Sequence, residues 1–143
     1  MDTIDKKLMA LLSRNARASV TTIAHDMGLA RTTVQARIER LERNGIIEGY
    51  TVKTNANFRE NRIQATVLLQ LDPRTGPKVV STLQKMPEVV AAHTSSGRFD
   101  LVLRLLTENT REMDETLDRI GALTGVRSSE SLIHLSTKFD RMI

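Results

Sequence analysis

The sequence VTTIAHDMGLARTTVQARIERL, residues 20–41, contains the pattern that decides the fold of the first part of this chain. Its apolar residues recur at intervals of three and four on both sides of Gly28, which is the spacing of an amphipathic α-helix. They are Val20, Ile23, Ala24 and Met27 before the glycine, and Val34, Ile38 and Leu41 after it. Because glycine tolerates the left-handed backbone of a tight turn, the stretch predicts two short helices joined at Gly28.

The second of these helices carries a polar and cationic face. A helix-turn-helix needs a first helix that braces and a second that presents such side chains to the major groove. We therefore predict that double-stranded DNA is a partner and that the contacts come from Arg31, Thr32, Thr33, Gln35, Arg37 and Arg40. The alternative is a solvated helix face whose arginines pair with Glu39 and Glu42. Arg37 could instead brace a neighbouring helix.

The composition of the chain excludes several classes of site. The 143 residues include no cysteine, which rules out disulfides, thiolate metal ligands and cysteine nucleophiles. The three histidines lack metal-ligand spacing, so we expect neither a metal nor a cofactor. No apolar run reaches the ~20 residues of a membrane span, and the first residues, MDTIDKK, do not resemble a secretory signal. We expect a soluble cytoplasmic protein with no membrane partner.

Positive charge is concentrated in the first part of the chain. Residues 1–53 hold nine Lys and Arg against six Asp and Glu, whereas residues 54–143 hold twelve against eleven. This distribution favours a polyanionic partner for the first part alone, although a net charge of +3 is also ordinary for a protein surface.

The pattern of residues 1–53 predicts one small domain. A first helix over about residues 4–15, capped by Asp2 or Thr3, would complete a three-helix bundle that Gly45 ends. The β-rich run IIEGYTV, residues 46–52, predicts a strand or small wing. The polar, Asn-rich stretch 54–61 then predicts a linker.

Residues 62–143 change to a mixed pattern of strands and helices. Alternation predicts a strand over residues 63–71, and Gly76-Pro77 opens a helix. Strands follow over residues 89–95 and 99–106, then a helix with Asn109 and Glu112 as a capping pair, and a last strand over about residues 129–138. This is the split βαβ, ferredoxin-like order, so the fold class is α+β: a winged helix-turn-helix domain joined to a ferredoxin-like βαββαβ domain. Its helices cover one face of the sheet, and Leu68 points to the other, which predicts a partner there.

Three segments of the sequence carry a resemblance to a known family. They are IDKKLMALLSRNARAS (residues 4–19), GLARTTVQARIERLERNGIIEGYTV (residues 28–52) and SGRFDLVLRL (residues 96–105). In this order and at this spacing the chain resembles the Lrp/AsnC, or feast/famine, family of prokaryotic transcription regulators. Ala30 departs from the pattern, because the family usually has a Ser there that caps the next helix. The absence of this capping hydroxyl costs about 0.5–2 kcal/mol of local stability.

The resemblance implies a homo-oligomer, a dimer that assembles into an octamer or an open helical array. It also implies that an amino acid or similar small effector binds around the hairpin over residues 97–100 and modulates a sequence-specific regulator. The residues that this assigns to the effector site are Thr94, Ser95, Ser96, Gly97, Arg98 and Asp100, with His134 and Ser136 supplied by a neighbouring subunit. Gly97 and Asp100 also have a purely structural interpretation, as a turn residue and a loop-bracing carboxylate.

Two alternatives to an effector-controlled regulator are open at this stage. One is an effector-independent DNA-binding regulator that uses the second domain for assembly alone. The other is an enzyme similar to sirohaem decarboxylases, which share this architecture. That enzyme would need a pocket of tetrapyrrole size, for which His93, His134 and Arg98 are the available side chains.

Overall fold

The computed structural model of the chain describes residues 1–54 and 61–139, which form two compact units. The first unit holds Met1–Lys53 and the second begins at Thr54, and each has its own hydrophobic core. The predicted linker, residues 54–61, lies almost entirely outside the described residues. Within the two described ranges, no helix is long and apolar enough to cross a membrane.

The first unit is a bundle of three helices: α1 (Thr3–Arg14), α2 (Val20–Met27) and α3 (Arg31–Arg43). Their apolar stripes meet in one core, whose most deeply buried members are Leu8, Ile23, Val34 and Leu41. Gly28 has φ of 64° and Gly45 has φ of 66°, so both predicted turns use the left-handed backbone. The predicted helix-turn-helix is confirmed.

Capping differs between the helices. Asp2 caps α1 in a reciprocal box, because its carboxylate accepts from the Asp5 amide at 2.8 Å and the Asp5 carboxylate accepts from the Asp2 amide at 3.0 Å. Ser19 caps α2 through the Thr22 amide. At Ala30, no side chain in the described part of the chain caps α3, so neither threonine that follows compensates for the missing hydroxyl.

The wing predicted over residues 46–52 is wrong. Among the described residues this stretch forms no strand and is mostly exposed, and it contacts the helices at two residues. Ile47 is buried in the helical core, and the Tyr50 hydroxyl donates to the Glu42 carboxylate on α3 at 2.7 Å. The first unit is therefore a helix-turn-helix bundle with a coil at its end.

The second unit is a four-stranded antiparallel sheet with two helices. Its elements are β1 (Ile63–Leu71), α4 (Gly76–Gln84), β2 (Val89–Thr94), β3 (Leu101–Thr107), α5 (Thr110–Gly121) and β4 (Val126–Ile133). The strand order β2-β3-β1-β4 places the first and third strands at the centre, which is the ferredoxin-like arrangement predicted from the sequence.

The two faces of this sheet differ sharply. Odd-numbered residues of β1 and β3 are buried under α4 and α5, in a core that includes Val67, Leu69, Leu103, Leu105 and Ile120. Even-numbered residues of the same strands lie on the other face, which we call the open face. There Leu68 pairs with Val102 on β3 and with Glu130 on β4. The predicted position of Leu68 is therefore confirmed.

The last strand has different bounds from those predicted. β4 runs over Val126–Ile133 and not over residues 129–138. It begins early because Val126 pairs with Leu71 after a break in register, and its last paired residue is Ile133, opposite Ala65. His134 makes one further hydrogen bond, from its amide to the Gln64 carbonyl at 2.9 Å.

Candidate DNA-binding face and ligand pocket

The solvent side of α3 lies opposite its buried residues Val34, Ile38 and Leu41. A stripe of exposed residues runs along its middle at spacings of four, four and three: Thr32, Ala36, Arg40 and Arg43. Thr33 flanks the stripe on one side and Gln35 with Glu39 on the other, all of them exposed. This surface of α3 is called the outer face below. Arg31 is also exposed, at the first position of the helix.

Ala36 is a member of the outer face that the sequence analysis missed. It lies one turn after Thr32 and one turn before Arg40, in the centre of the stripe. A search for polar residues passes over it, whereas a helical wheel drawn from the three buried residues finds it. If α3 enters a major groove, a small methyl side chain at this position would allow close approach and would suit contact with a thymine methyl group.

Arg37 does not belong to the outer face. Its guanidinium donates to the carboxylates of Asp2 and Asp5 at 2.7 and 2.8 Å, and only 21% of its side chain is exposed. Arg40 donates to both oxygens of Asp5, at 2.9 and 3.0 Å, but half of its side chain remains exposed. The Asp5 side chain is buried between them. These contacts favour the bracing interpretation of Arg37, since they tie α1 to the middle of α3.

The carboxylates of this network keep their charge to unusually low pH. The Arg37 guanidinium and, next, the Asp5 amide lower the pKa of Asp2 from 3.8 to about 2. Hydrogen bonding from the Asp2 amide, assisted by Arg37, also holds the pKa of Asp5 below its usual value. Both shifts arise from donors that favour the charged form.

Acid should therefore weaken the first unit. A carboxylate with a lower pKa in the folded state stabilises fully above its unfolded pKa, here 3.8, and loses that contribution as the pH falls toward about 2. Asp2→Asn keeps a cap acceptor but removes the charge. We expect it to lower the melting temperature of the helical unit by a few degrees at pH 6 and by much less at pH 2. Circular dichroism melts across this range measure the difference, and a difference independent of pH would contradict the assignment.

The hairpin between β2 and β3 contains most of the predicted effector residues. Thr94 ends β2, and Ser95, Ser96, Gly97 and Arg98 follow as exposed residues. Gly97 has φ of 101°, a left-handed value that favours glycine whatever the space around it.

Asp100 serves the backbone of this hairpin. Its carboxylate accepts from the Leu71 amide at 2.7 Å, and its own amide donates to the Leu69 carbonyl at 2.8 Å. The Asp100 carbonyl closes the hairpin by accepting from the Ser95 amide at 3.0 Å. These bonds favour the structural interpretation of Asp100, because they attach the hairpin to the end of β1.

A cavity of about 360 Å³ opens beside this hairpin at the ends of β1 and β4. It is lined by Gln70, Arg98, Phe99, Ser128, Ser129 and Glu130. The Gln70 amide nitrogen donates to the Arg98 carbonyl at 2.8 Å, and its oxygen accepts from the Ser128 hydroxyl at 2.7 Å. Gln70 therefore fixes the position of the hairpin relative to both strands.

Two opposite charges lie side by side in the lining of this cavity. The Arg98 guanidinium lies 3.6 Å from the Glu130 carboxylate and 4.9 Å from the centre of the Phe99 ring. Both charged side chains are more than half exposed, so their mutual attraction is weak and a ligand can separate them. A cation, an anion and an aromatic surface together suit a small zwitterion.

Gln70, Ser128 and Glu130 were absent from the predicted site. The alternation of β1 places Gln70 on the open face, but only the pairing of β1 with β4 brings Ser128 opposite it. That register is not readable from the sequence, and the predicted strand began one residue too late to include Ser128.

His134 and Ser136 do not join this cavity within one chain. The His134 ring lies 2.9 Å from the Thr66 hydroxyl, and Thr66 is four residues, or about 13 Å, from Gln70 along β1. Ser136 is exposed beyond the end of β4. His93 lies on β2, at the opposite edge of the sheet from His134. The three side chains suggested for a tetrapyrrole pocket, these two histidines and Arg98, are thus not gathered in one place.

Comparison with known proteins agrees with both units. The AsnC-type helix-turn-helix domain matches residues 1–42, and the Lrp/AsnC ligand binding domain matches residues 64–143. The chain is 31% identical to the transcriptional regulator FL11 of Pyrococcus furiosus over 135 residues, which cover 94% of this chain and 89% of that protein. It is also 31% identical to the regulator LysM of Saccharolobus solfataricus over 140 residues, which cover 97% and 96% of the two chains.

Solved structures show the same fold at lower identity. AsnC of Escherichia coli superposes with a TM-score of 0.90 at 21% identity, over 100% of this chain and 97% of that one. A Neisseria meningitidis regulator, solved as a complex with L-Met, superposes with a TM-score of 0.89 at 20% identity, over 98% and 93%. FL11 and LysM are both transcriptional regulators, which favours a regulator over the decarboxylase alternative. A helix-turn-helix with an exposed polar face, followed by a ligand-binding domain over the second unit, makes this chain a DNA-binding transcriptional regulator, and it belongs to the Lrp/AsnC family.

Proposed function

We propose that the chain is a sequence-selective regulator that reads DNA with the outer face of α3. The exposed stripe of α3 carries this proposal, since it combines hydrogen-bonding, small and cationic side chains on one rigid helix. N-terminal residues of a recognition helix contact base edges. Thr32, Thr33 and Gln35 therefore take the base contacts, and Arg31 takes a phosphate.

Arg40 has a second role in this proposal. Its guanidinium has five N–H donors, and the two bonds to Asp5 come from one terminal nitrogen. The rest of the group, half exposed, is available to a phosphate without release of Asp5. Arg37, by contrast, aligns α3 and contributes to DNA binding through the position of the helix.

We propose that the cavity beside the hairpin binds a small zwitterion such as an amino acid. A volume of about 360 Å³ is at the lower end of ligand pockets, which suits a small molecule. Arg98 takes the ligand carboxylate, and Glu130 takes the ammonium group that Asp100, held by the Leu71 amide, is not placed to receive. The complex of the Neisseria regulator with L-Met supports this class of ligand.

Calorimetry of the common amino acids against the full chain tests the pocket. A hydrogen bond to a charged group contributes about 1.5–3 kcal/mol, so Arg98→Ala and Glu130→Gln should each weaken the ligand found by about 10- to 150-fold. Arg111→Ala, an exposed arginine on α5, serves as the control and should leave binding unchanged. Unchanged binding in the Arg98 and Glu130 variants places the site elsewhere. Binding of none of the amino acids favours an effector-independent regulator.

We further propose that the protein acts as a homo-oligomer in the cytoplasm, at least a dimer and in larger assemblies an octamer or open array. The open face supports this, because it presents Leu68, Val102 and Leu106 on the side of the sheet without helices. A two-fold dimer would match a pseudo-palindromic operator with half-sites about one helical turn, or a multiple, apart.

A further inference from the structure

We propose that Glu39 is a positioning residue that fixes the Gln35 amide and thereby makes α3 select adenine. The inference rests on the proposed seating of α3 in the major groove. It adds two points to that proposal: the residue that orients the Gln35 amide, and the base that this amide selects.

Gln35 and Glu39 lie one turn apart on the outer face, both exposed. The Gln35 amide nitrogen donates to a Glu39 carboxylate oxygen at 2.8 Å. A carboxylate only accepts hydrogen bonds, so the amide must turn its nitrogen toward Glu39 and its oxygen away. The orientation of the amide is therefore set by chemistry, and one N–H donor remains free of this bond beside the oxygen.

This arrangement matches one base in the major groove. Adenine presents an amino donor next to the N7 acceptor, and a glutamine amide satisfies both with its oxygen and its nitrogen. Guanine presents two acceptors there, and thymine presents an acceptor and a methyl group. Cytosine offers a single amino donor, which leaves the remaining N–H of Gln35 without an acceptor.

The proposed role also accounts for a negative charge at Glu39, on a face that would approach DNA phosphates. A carboxylate on the outer face repels phosphates and lowers affinity for every DNA sequence. The Glu39 carboxylate repels the phosphates of every DNA site, whereas the oriented Gln35 amide strengthens binding only at sites with a correctly placed adenine. Glu39 therefore raises the ratio of specific to non-specific binding while it lowers overall affinity.

The experiment selects duplexes from a randomised library with the full-length protein and then measures each base at every enriched position. Four variants are compared with the wild type: Gln35→Ala, Thr32→Ala, Glu39→Gln and the control Glu48→Gln. Glu48 is exposed and carries the same charge, but it lies outside α3. A bidentate contact discriminates its base by about 5- to 150-fold, and we expect Gln35→Ala to remove this preference at one adenine of each half-site.

Glu39→Gln should weaken the same adenine preference by about twofold, because a glutamine at position 39 can donate as well as accept and no longer fixes the orientation of the Gln35 amide. It should also raise affinity for unrelated DNA, whereas Glu48→Gln should leave the adenine preference intact. An adenine preference unchanged in Glu39→Gln overturns the proposal. So does a cytosine preference that disappears in Glu39→Gln but survives in Gln35→Ala, because Glu39 would then contact the base itself. If neither Gln35→Ala nor Thr32→Ala alters any base preference, the result contradicts the proposal that α3 enters the major groove.

Discussion

Ala36→Glu should lower the affinity of the protein for its operator by about 100-fold, or about 2.7 kcal/mol, without unfolding the first unit. The new carboxylate would stand at the centre of the outer face, where it meets phosphates and base acceptors. It would also lie four residues before Arg40 and could draw that guanidinium away from DNA. Glutamate is a good helix former at an exposed position, so the melting temperature should hardly change.

The matched control is Ala10→Glu, the same substitution at an exposed position of α1. It adds the same charge to the same unit but away from α3, and affinity should fall only by the general electrostatic contribution. Fluorescence anisotropy with a labelled operator at fixed salt measures both variants, because affinities for DNA depend strongly on ionic strength. Equal losses in the two variants would show that the outer face of α3 does not enter the groove.

The elements of the first unit were predictable because their determinants are local. Helix spacing identified the buried residues of α2 and α3, and Gly28 marked the turn. The prediction of a wing over residues 46–52 was wrong because residue composition does not show whether a partner strand is present. A β-rich run becomes a strand only when a partner strand is present, and here Ile47 and Tyr50 find partners on the helices.

Side-chain roles were predictable only where one element decides them. Thr32 and Gln35 face solvent as the helical wheel requires, and their contact with DNA stays a prediction. The position of Arg37 depends on Asp2 and Asp5, more than thirty residues away along the chain. Such a contact exists only after α1 has docked on α3, so the sequence left two interpretations of Arg37 open.

The same limit applies to the cavity beside the hairpin. The hairpin itself was expected from the sequence, but the residues opposite it belong to β1 and β4 and are placed by strand register. Register depends on long-range packing, and a shift of one residue reverses the face of every side chain. Glu130 consequently lies beside Arg98, whereas Asp100 was the only carboxylate that the resemblance assigned to the site.

Leu68→Asp should convert an oligomer held by the second unit into monomers at micromolar concentration. Leu68 lies near the middle of the open face, beside Val102 on β3 and Glu130 on β4. In an assembly that covers this face, the new carboxylate would be buried at a cost of several kcal/mol and would lie next to another carboxylate. We expect the dissociation constant of the dimer to rise at least about 100-fold, which corresponds to about 2.7 kcal/mol.

The control for this variant is Val80→Asp, which adds the same carboxylate at a partly exposed apolar position on α4, the helical side of the sheet. It should leave the molar mass unchanged in light scattering. Leu68→Asp should also weaken binding to an operator with two half-sites more than binding to a single half-site, because a monomer loses the gain from simultaneous engagement. A Leu68→Asp protein with the wild-type mass, or a monomeric wild type, would exclude the open face as the assembly surface. Loss of assembly in Val80→Asp alone would assign that surface to the helices.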